Sequence, residues 1–129
     1  MGKRILVIED DLPLRNLFRG IVAAGGHTVY ESSTREEAID LISEKDVELL
    51  VCDIEVEDGV MLDVIEVCCN HNLDVIVITA NEDYFTRCRD MGVLAFITKP
   101  VAAGDLMNLL NNIENVDIPG AYIAPRARA

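Results

Sequence analysis

The chain lacks several features that would each have named a class of protein. No apolar run approaches the roughly 20 residues that span a bilayer. The opening MGKRILVIED has neither the apolar stretch nor the small-residue cleavage site of a secretory signal. A cytoplasmic protein with no membrane attachment is expected. Basic residues are scarce, 11 Lys and Arg against 23 Asp and Glu, for a formal charge of −12. Phosphate backbones are repelled by such a surface, so direct nucleic acid binding by this domain is not expected. Cys52, Cys68, Cys69 and Cys88 follow no disulfide or zinc spacing. Adjacent cysteines on a helix point in different directions, so ordinary reduced thiols are expected, several of them buried. His27 and His71 have no acid and serine nearby to suggest a catalytic triad.

What is present is a short chain with a large apolar share. At 129 residues, half of them hydrophobic, it has room for one domain with a sizeable core and none for a second. The runs RILVIE, HTVYES, VELLVCD, LDVIVITA and VLAFITK are rich in Val, Ile and Leu. Three are almost continuously apolar, as expected of parallel strands covered on both faces.

Segments of helical period lie between them. Leu14, Leu17, Phe18 and Ile21 form one apolar stripe, which Gly25-Gly26 stops. Ser33 or Thr34 can cap a second helix, with Ala38, Leu41 and Ile42 facing inward. A third follows Gly59 through Val64, Ile65 and Cys68, and a fourth runs from about Glu82 to Met91. The fifth carries Leu106, Leu109, Leu110 and Ile113 at i, i+3, i+4 and i+7. Five such β–α units predict an α/β fold, a doubly wound parallel sheet with helices on both faces. Ligands of such sheets bind beyond the carboxyl ends of the strands, where strand order reverses.

The expected strand ends carry Glu9-Asp10-Asp11, Asp53, Thr79-Ala80 and Lys99-Pro100. Carboxylates, a hydroxyl and an ammonium would thus converge on one rim. Crowded carboxylates repel unless a cation neutralises them. An oxygen-only ligand set suits Mg²⁺, which keeps waters and shares phosphate oxygens. A carboxylate can attack phosphorus to give an acyl phosphate, and positioning with charge neutralisation supplies most of the catalysis. Lys99 would pair with the phosphoryl oxygens, Thr79 would donate a hydrogen bond, and small Ala80 would leave the approach open.

With ILVIEDD, LLVCDIEVEDG, VIVITA and AFITKP in place, the chain resembles the receiver domain of two-component response regulators from Arg4 to about Asn115. The resemblance implies a flavodoxin-like (βα)5 fold with strand order 2-1-3-4-5, and a phosphoryl group accepted on Asp53 from a histidine kinase or phosphotransfer protein. It implies Asp10 as a direct Mg²⁺ ligand, Glu9 acting directly or through water, and Glu55 offering its backbone carbonyl. Thr79 and Lys99 match the switch hydroxyl and the phosphate-pairing lysine, and Phe96 matches the aromatic that turns inward on phosphorylation. Lys99-Pro100 matches a cis bond, which only an X-Pro pair forms cheaply. Asp11, Ala80 and Asn81 fall on the rim, with Asp11 expected to be exposed. Output is implied through the face of the fourth helix, fifth strand and fifth helix, toward an output domain, a partner protein or a homodimer.

The loop after Asp53 departs from the family pattern, with Glu57 where proline is usual and Met61 where a second glycine is usual. Both changes bear on loop shape. Residues 1–116 are expected to form the domain, and 117–129, with VDIPGAYIAPRARA beginning at Val116, to form a tail or linker. Three other readings stay open. A pseudo-receiver would bind partners without phosphorylation. An aspartate-nucleophile phosphatase would want an Asp where Glu55 stands. A flavin module would want a glycine- or hydroxyl-rich phosphate loop after the first strand.

Overall fold

A computed structural model describes residues 2–112 and 116–125. Five parallel strands are laid down in the expected order. They are β1 (Arg4–Ile8), β2 (Thr28–Ser32), β3 (Leu49–Cys52), β6 (Asp74–Thr79) and β7 (Ala95–Thr98). Across the sheet they run β2-β1-β3-β6-β7, which is 2-1-3-4-5 counted over these five strands. Register is set by pairs such as Ile8 with Cys52 and Thr79 with Thr98, so the carboxyl ends of four strands finish side by side.

The period-2 geometry of a strand sorts the core. Ile5, Val7, Val51, Ile76 and Ile78 project to the face covered by α1 (Leu12–Ala24) and α5 (Ala103–Asn111). Leu6, Ile8, Leu50, Cys52, Val75 and Val77 project to the other, covered by α2 (Arg35–Glu44), α3 (Leu62–Asn70) and α4 (Phe85–Met91). Burying an aliphatic side chain of this kind contributes roughly 1.5–3 kcal/mol. The continuous apolar runs are therefore the main driving term.

Helix ends follow local chemistry. Asp11 accepts the N–H of Leu14 at 3.2 Å and caps α1. Thr34, rather than Ser33, accepts the N–H of Glu37 at 3.2 Å to start α2. Gly92 ends α4 at φ +94, a left-handed conformation that suits glycine.

Several details differ from the sequence reading. The expected fourth helix opens as a 3₁₀ turn, Glu82–Tyr84, because Asn81 accepts the N–H of Asp83 at 3.0 Å and tightens the start; α4 proper begins at Phe85. Leu17 is 45 % exposed, since the inward arc of α1 centres on Phe18, Ile21 and Val22. The loop after Asp53 contains a small hairpin of β4 (Glu55–Val56) and β5 (Gly59–Val60).

The sheet also gains a sixth strand. Beyond residue 116 the chain turns back, Ile118 is buried, and β8 (Tyr122–Ile123) pairs antiparallel with β7. Ile113 of the expected fifth-helix stripe, and Arg126 and Arg128 of the tail, lie outside the described residues.

Candidate functional site

Asp53 follows β3 directly and is 8 % exposed. Its backbone N–H donates to the Ile8 carbonyl at 3.0 Å, continuing the parallel ladder one residue beyond the strand. The carboxylate is held from two sides. Oδ1 accepts the N–H of Ile54 at 2.7 Å and that of Glu55 at 3.4 Å, while Oδ2 accepts from Lys99 Nζ at 2.7 Å. The N–H contacts are local to the turn after β3, whereas the Lys99 contact follows from the topology, which sets the end of β7 two strands from the end of β3.

Lys99 also reaches Glu9, whose Oε1 lies 2.8 Å from Nζ. Glu9 is 1 % exposed, and its Oε2 accepts the N–H of Asp11 at 3.2 Å. Burial pushes the Glu9 carboxyl above its ordinary range; the Lys99 hydrogen bond and the Asp11 N–H only partly offset that. For Lys99, burial is the largest influence and pulls downward. Hydrogen bonds to Asp53 and Glu9 together outweigh it, and the ammonium titrates above its usual value. One cation thus stands between two carboxylates in a poorly solvated notch.

Thr79 ends β6 and is 1 % exposed; its hydroxyl oxygen accepts the N–H of Asn81 at 3.3 Å. The Lys99 N–H donates to the Thr79 carbonyl at 2.8 Å, so the two expected phosphate-contacting residues are tied by their backbones. The Lys99-Pro100 bond is cis. Asp10, Asp11 and Ala80 are exposed on the same rim, and Asn81 is half-buried. Phe96 is 4 % exposed.

A divalent cation can be weighed against these groups. Among the described residues no three His, Cys, Asp or Glu side chains form a ready-made metal cage. Mg²⁺ does not need one, because it usually takes one or two carboxylates and completes its shell with water and phosphate oxygens. Glu9, Asp10 and Asp53 offer three carboxylates on adjoining strand ends against the single ammonium of Lys99, with no imidazole or thiolate among them. The donor chemistry fits the ion.

The altered loop is compensated. Met61 is fully buried and stands at φ −93 before α3, a conformation any residue adopts. Asp58, in the hairpin turn, accepts the backbone N–H groups of Arg35 at 2.6 Å and Glu36 at 3.2 Å. The Arg35 guanidinium donates to the Val60 carbonyl at 2.9 Å and to Asp63 at 2.6 Å. These hydrogen bonds hold the Asp58 and Asp63 carboxyls below the usual carboxylate range.

Sequence reasoning did not find this tie, nor Arg15, whose guanidinium donates to the Glu9 carbonyl at 3.1 Å. It also missed Tyr84, whose hydroxyl donates to Glu55 at 3.4 Å. Only the position of Arg35 at the start of a capped helix hinted at any of these contacts. The cysteines behave as expected of inert thiols: burial pushes Cys68 and Cys88 up to about 11 and Cys52 well above its ordinary value. No helix among the described residues is long and apolar enough to cross a membrane.

Known proteins resemble this chain in sequence and in fold. The aerobic respiration control protein ArcA of Escherichia coli (strain K12) is 28 % identical over 120 residues, covering 87 % of this chain and 50 % of that protein. The response regulator MprA of Mycobacterium tuberculosis (strain ATCC 25618 / H37Rv) is 30 % identical over 114 residues, covering 83 % and 48 %. This chain therefore spans about half the length of those relatives. Among solved structures, the non-phosphorylated HemR receiver domain of Leptospira biflexa superposes with a TM-score of 0.79 at 24 % identity, covering 92 % of this chain and 98 % of that one. A CheY-like receiver domain protein of Methanospirillum hungatei JF-1 gives 0.76 at 24 %, covering 84 % and 90 %. These two likenesses speak to the fold. Residues 5–111 match the response regulator receiver domain as a family, and the chain belongs to it.

Proposed function

We propose that Asp53 is the phosphoacceptor of this receiver domain, and that Glu9, Asp10, Asp53 and the Glu55 backbone carbonyl hold Mg²⁺ beside it. Receiver domains act as phosphoacceptor switches in two-component signalling, taking the group from histidine kinases and linking to output domains. The observation that carries the assignment to Asp53 is its carboxylate held between the Ile54 N–H and the Lys99 ammonium at the strand ends.

A carboxylate oxygen of Asp53 attacks phosphorus, forming the acyl phosphate as the bond to the donor breaks. Lys99 turns from the free carboxylate to the phosphoryl oxygens as a point charge. Glu9 keeps a second charge on Lys99 and so limits its movement. Bound Mg²⁺ supplies neutralisation of the oxygens that gain negative charge in the transfer. Exposed Ala80 leaves one side of Asp53 unobstructed.

Thr79 is the switch hydroxyl. On phosphorylation it gives up its contact with the Asn81 N–H and donates to a phosphoryl oxygen. Phe96, on the neighbouring strand, then favours its inward packing, which biases the face made by α4, β7 and α5 toward an output domain or partner. This is a population shift set by the new local contacts.

The test is intact-mass measurement after incubation with acetyl phosphate and Mg²⁺. One phosphoryl addition is expected, and Asp53→Asn should lose it. An unchanged wild-type mass where a control receiver is labelled would overturn the assignment.

A further inference from the structure

The outer edge of β7 is covered by the chain itself. Ala124 donates its N–H to the Leu94 carbonyl at 2.8 Å, and Ala95 lies opposite Ile123 and Phe96 opposite Tyr122. Ile118 is buried against the α1–α5 side of the sheet and anchors the segment before the Pro119-Gly120 turn.

Directly paired residues of an antiparallel ladder project to the same face, so the Phe96 and Tyr122 rings are neighbours. Phe85, at the first turn of α4, meets both edge-on, with ring centroids 5.4 Å from Phe96 and 5.4 Å from Tyr122. Three rings from α4, β7 and β8 thus form one packed unit. The cover is small. It is two residues long, and an open groove of about 760 Å³ runs beside it between Thr86, Thr98 and Gly120. A short strand beside an open groove is the kind of element that opens locally without global unfolding.

We propose that the β7 edge is a strand-accepting interaction surface whose resident occupant is residues 118–124 of this same chain, and that occupancy is coupled to the phosphorylation site through Tyr122, Phe85 and Phe96. The second clause rests on the switch role given to Phe96 above. With Tyr122 seated, the space beside Phe96 on the α4 side is taken, and a Phe96 that left the core would have to displace it. The seated strand and the phosphoryl group therefore favour the same inward packing. Any protein that adds an extended segment to this edge must first displace the chain's own strand.

The edge is tested in the full chain. Ala124→Pro removes the N–H that Leu94 accepts and lies far from Asp53. A fluorescent peptide of residues 118–124 should bind this variant at least tenfold more tightly than wild type, read by anisotropy. Equal binding to both, or to neither, would overturn the strand-accepting edge.

The coupling is tested with beryllium fluoride and Mg²⁺ as the phosphoryl mimic. Amide exchange at Tyr122 and Ala124 should slow at least fivefold on mimic binding. Tyr122→Ala should weaken the mimic by a similar factor, as reciprocity demands. Bound mimic with unchanged or faster exchange would overturn the coupling. Failure of the mimic to bind wild type would instead count against the reading of Asp53 and remove the coupling with it, while the peptide result would still decide the edge.

Discussion

The Asp58 carboxylate takes the backbone N–H of Arg35 at 2.6 Å, so the turn that follows Asp53 is fastened to the first turn of α2. Arg35 returns the grip through its side chain, on Val60 and Asp63. A loop without the family's proline and second glycine is held by cross-links instead of by intrinsic stiffness.

The first expectation concerns acid. Both Asp58 and Asp63 have carboxyls lowered in the folded state, so their contribution is complete above the ordinary carboxylate range near 4 and is lost as pH falls through the lowered values. Urea midpoints between about pH 5 and pH 2.5 should fall less steeply in an Asp58→Asn/Asp63→Asn double variant than in wild type. Parallel curves would show that the tie adds nothing to folding.

Lys99 bears on a different pH range. Removing it as Lys99→Ala leaves the Glu9 and Asp53 carboxylates close and without their cation, which should cost roughly 3 kcal/mol at neutral pH. The Glu9 carboxyl is already raised by burial, so the variant should regain stability as pH drops and that group takes up a proton. In wild type the raised Lys99 value works the other way, its contribution persisting below the ordinary lysine range and fading only as pH climbs through the raised value. Denaturation at about pH 5 and about pH 7.5 should show a smaller gap between wild type and Lys99→Ala at the lower pH; a constant gap would count against the buried cluster.

Added Mg²⁺ should stabilise the fold by mass action, about 2.7 kcal/mol at one hundred times the dissociation constant. Asp10→Ala should shift the thermal midpoint titration to higher Mg²⁺ while leaving the metal-free midpoint nearly unchanged, because Asp10 is exposed. An identical titration in wild type and variant would remove Asp10 from the ligand set.

Met61→Gly restores the residue usual in the family and should nevertheless harm this protein. The side chain is fully buried in the core between the sheet and α3. Its deletion should cost about 3–5 kcal/mol from the cavity and the freer unfolded backbone. Equilibrium unfolding measures this; a neutral result would show that the loop, not the core, governs the position.

The parts legible in the sequence are those where one residue type answers to one local rule. Continuous Val, Ile and Leu in β1, β3 and β6 can only be buried on both faces, and the alternation with helical periods then orders the sheet. Glu9, Asp53, Thr79 and Lys99 stood out because polar groups end apolar strands. The hairpin of β4 and β5 escaped because four residues in two strands leave no periodic trace. Tyr122 and Ile123 escaped for a similar reason. Prolines and a glycine near by read as a connector, and pairing with β7 depends on an edge that exists only once the sheet has formed. The Arg35 cross-links are likewise tertiary, joining residues 23 and 28 positions apart.

Sheets with open sides invite fibrillar stacking, and β8 has a bearing on how this molecule behaves when crowded. It closes the side of β7 with a strand of two residues, followed by Pro125, too short and too blunt to template another chain. The opposite border, β2, carries Glu31 amid Arg15 and Arg19, a charged fringe that a second flat ribbon would have to dehydrate. Concentrated solutions should therefore stay clear of amyloid-type deposits for as long as that final short ribbon remains in place.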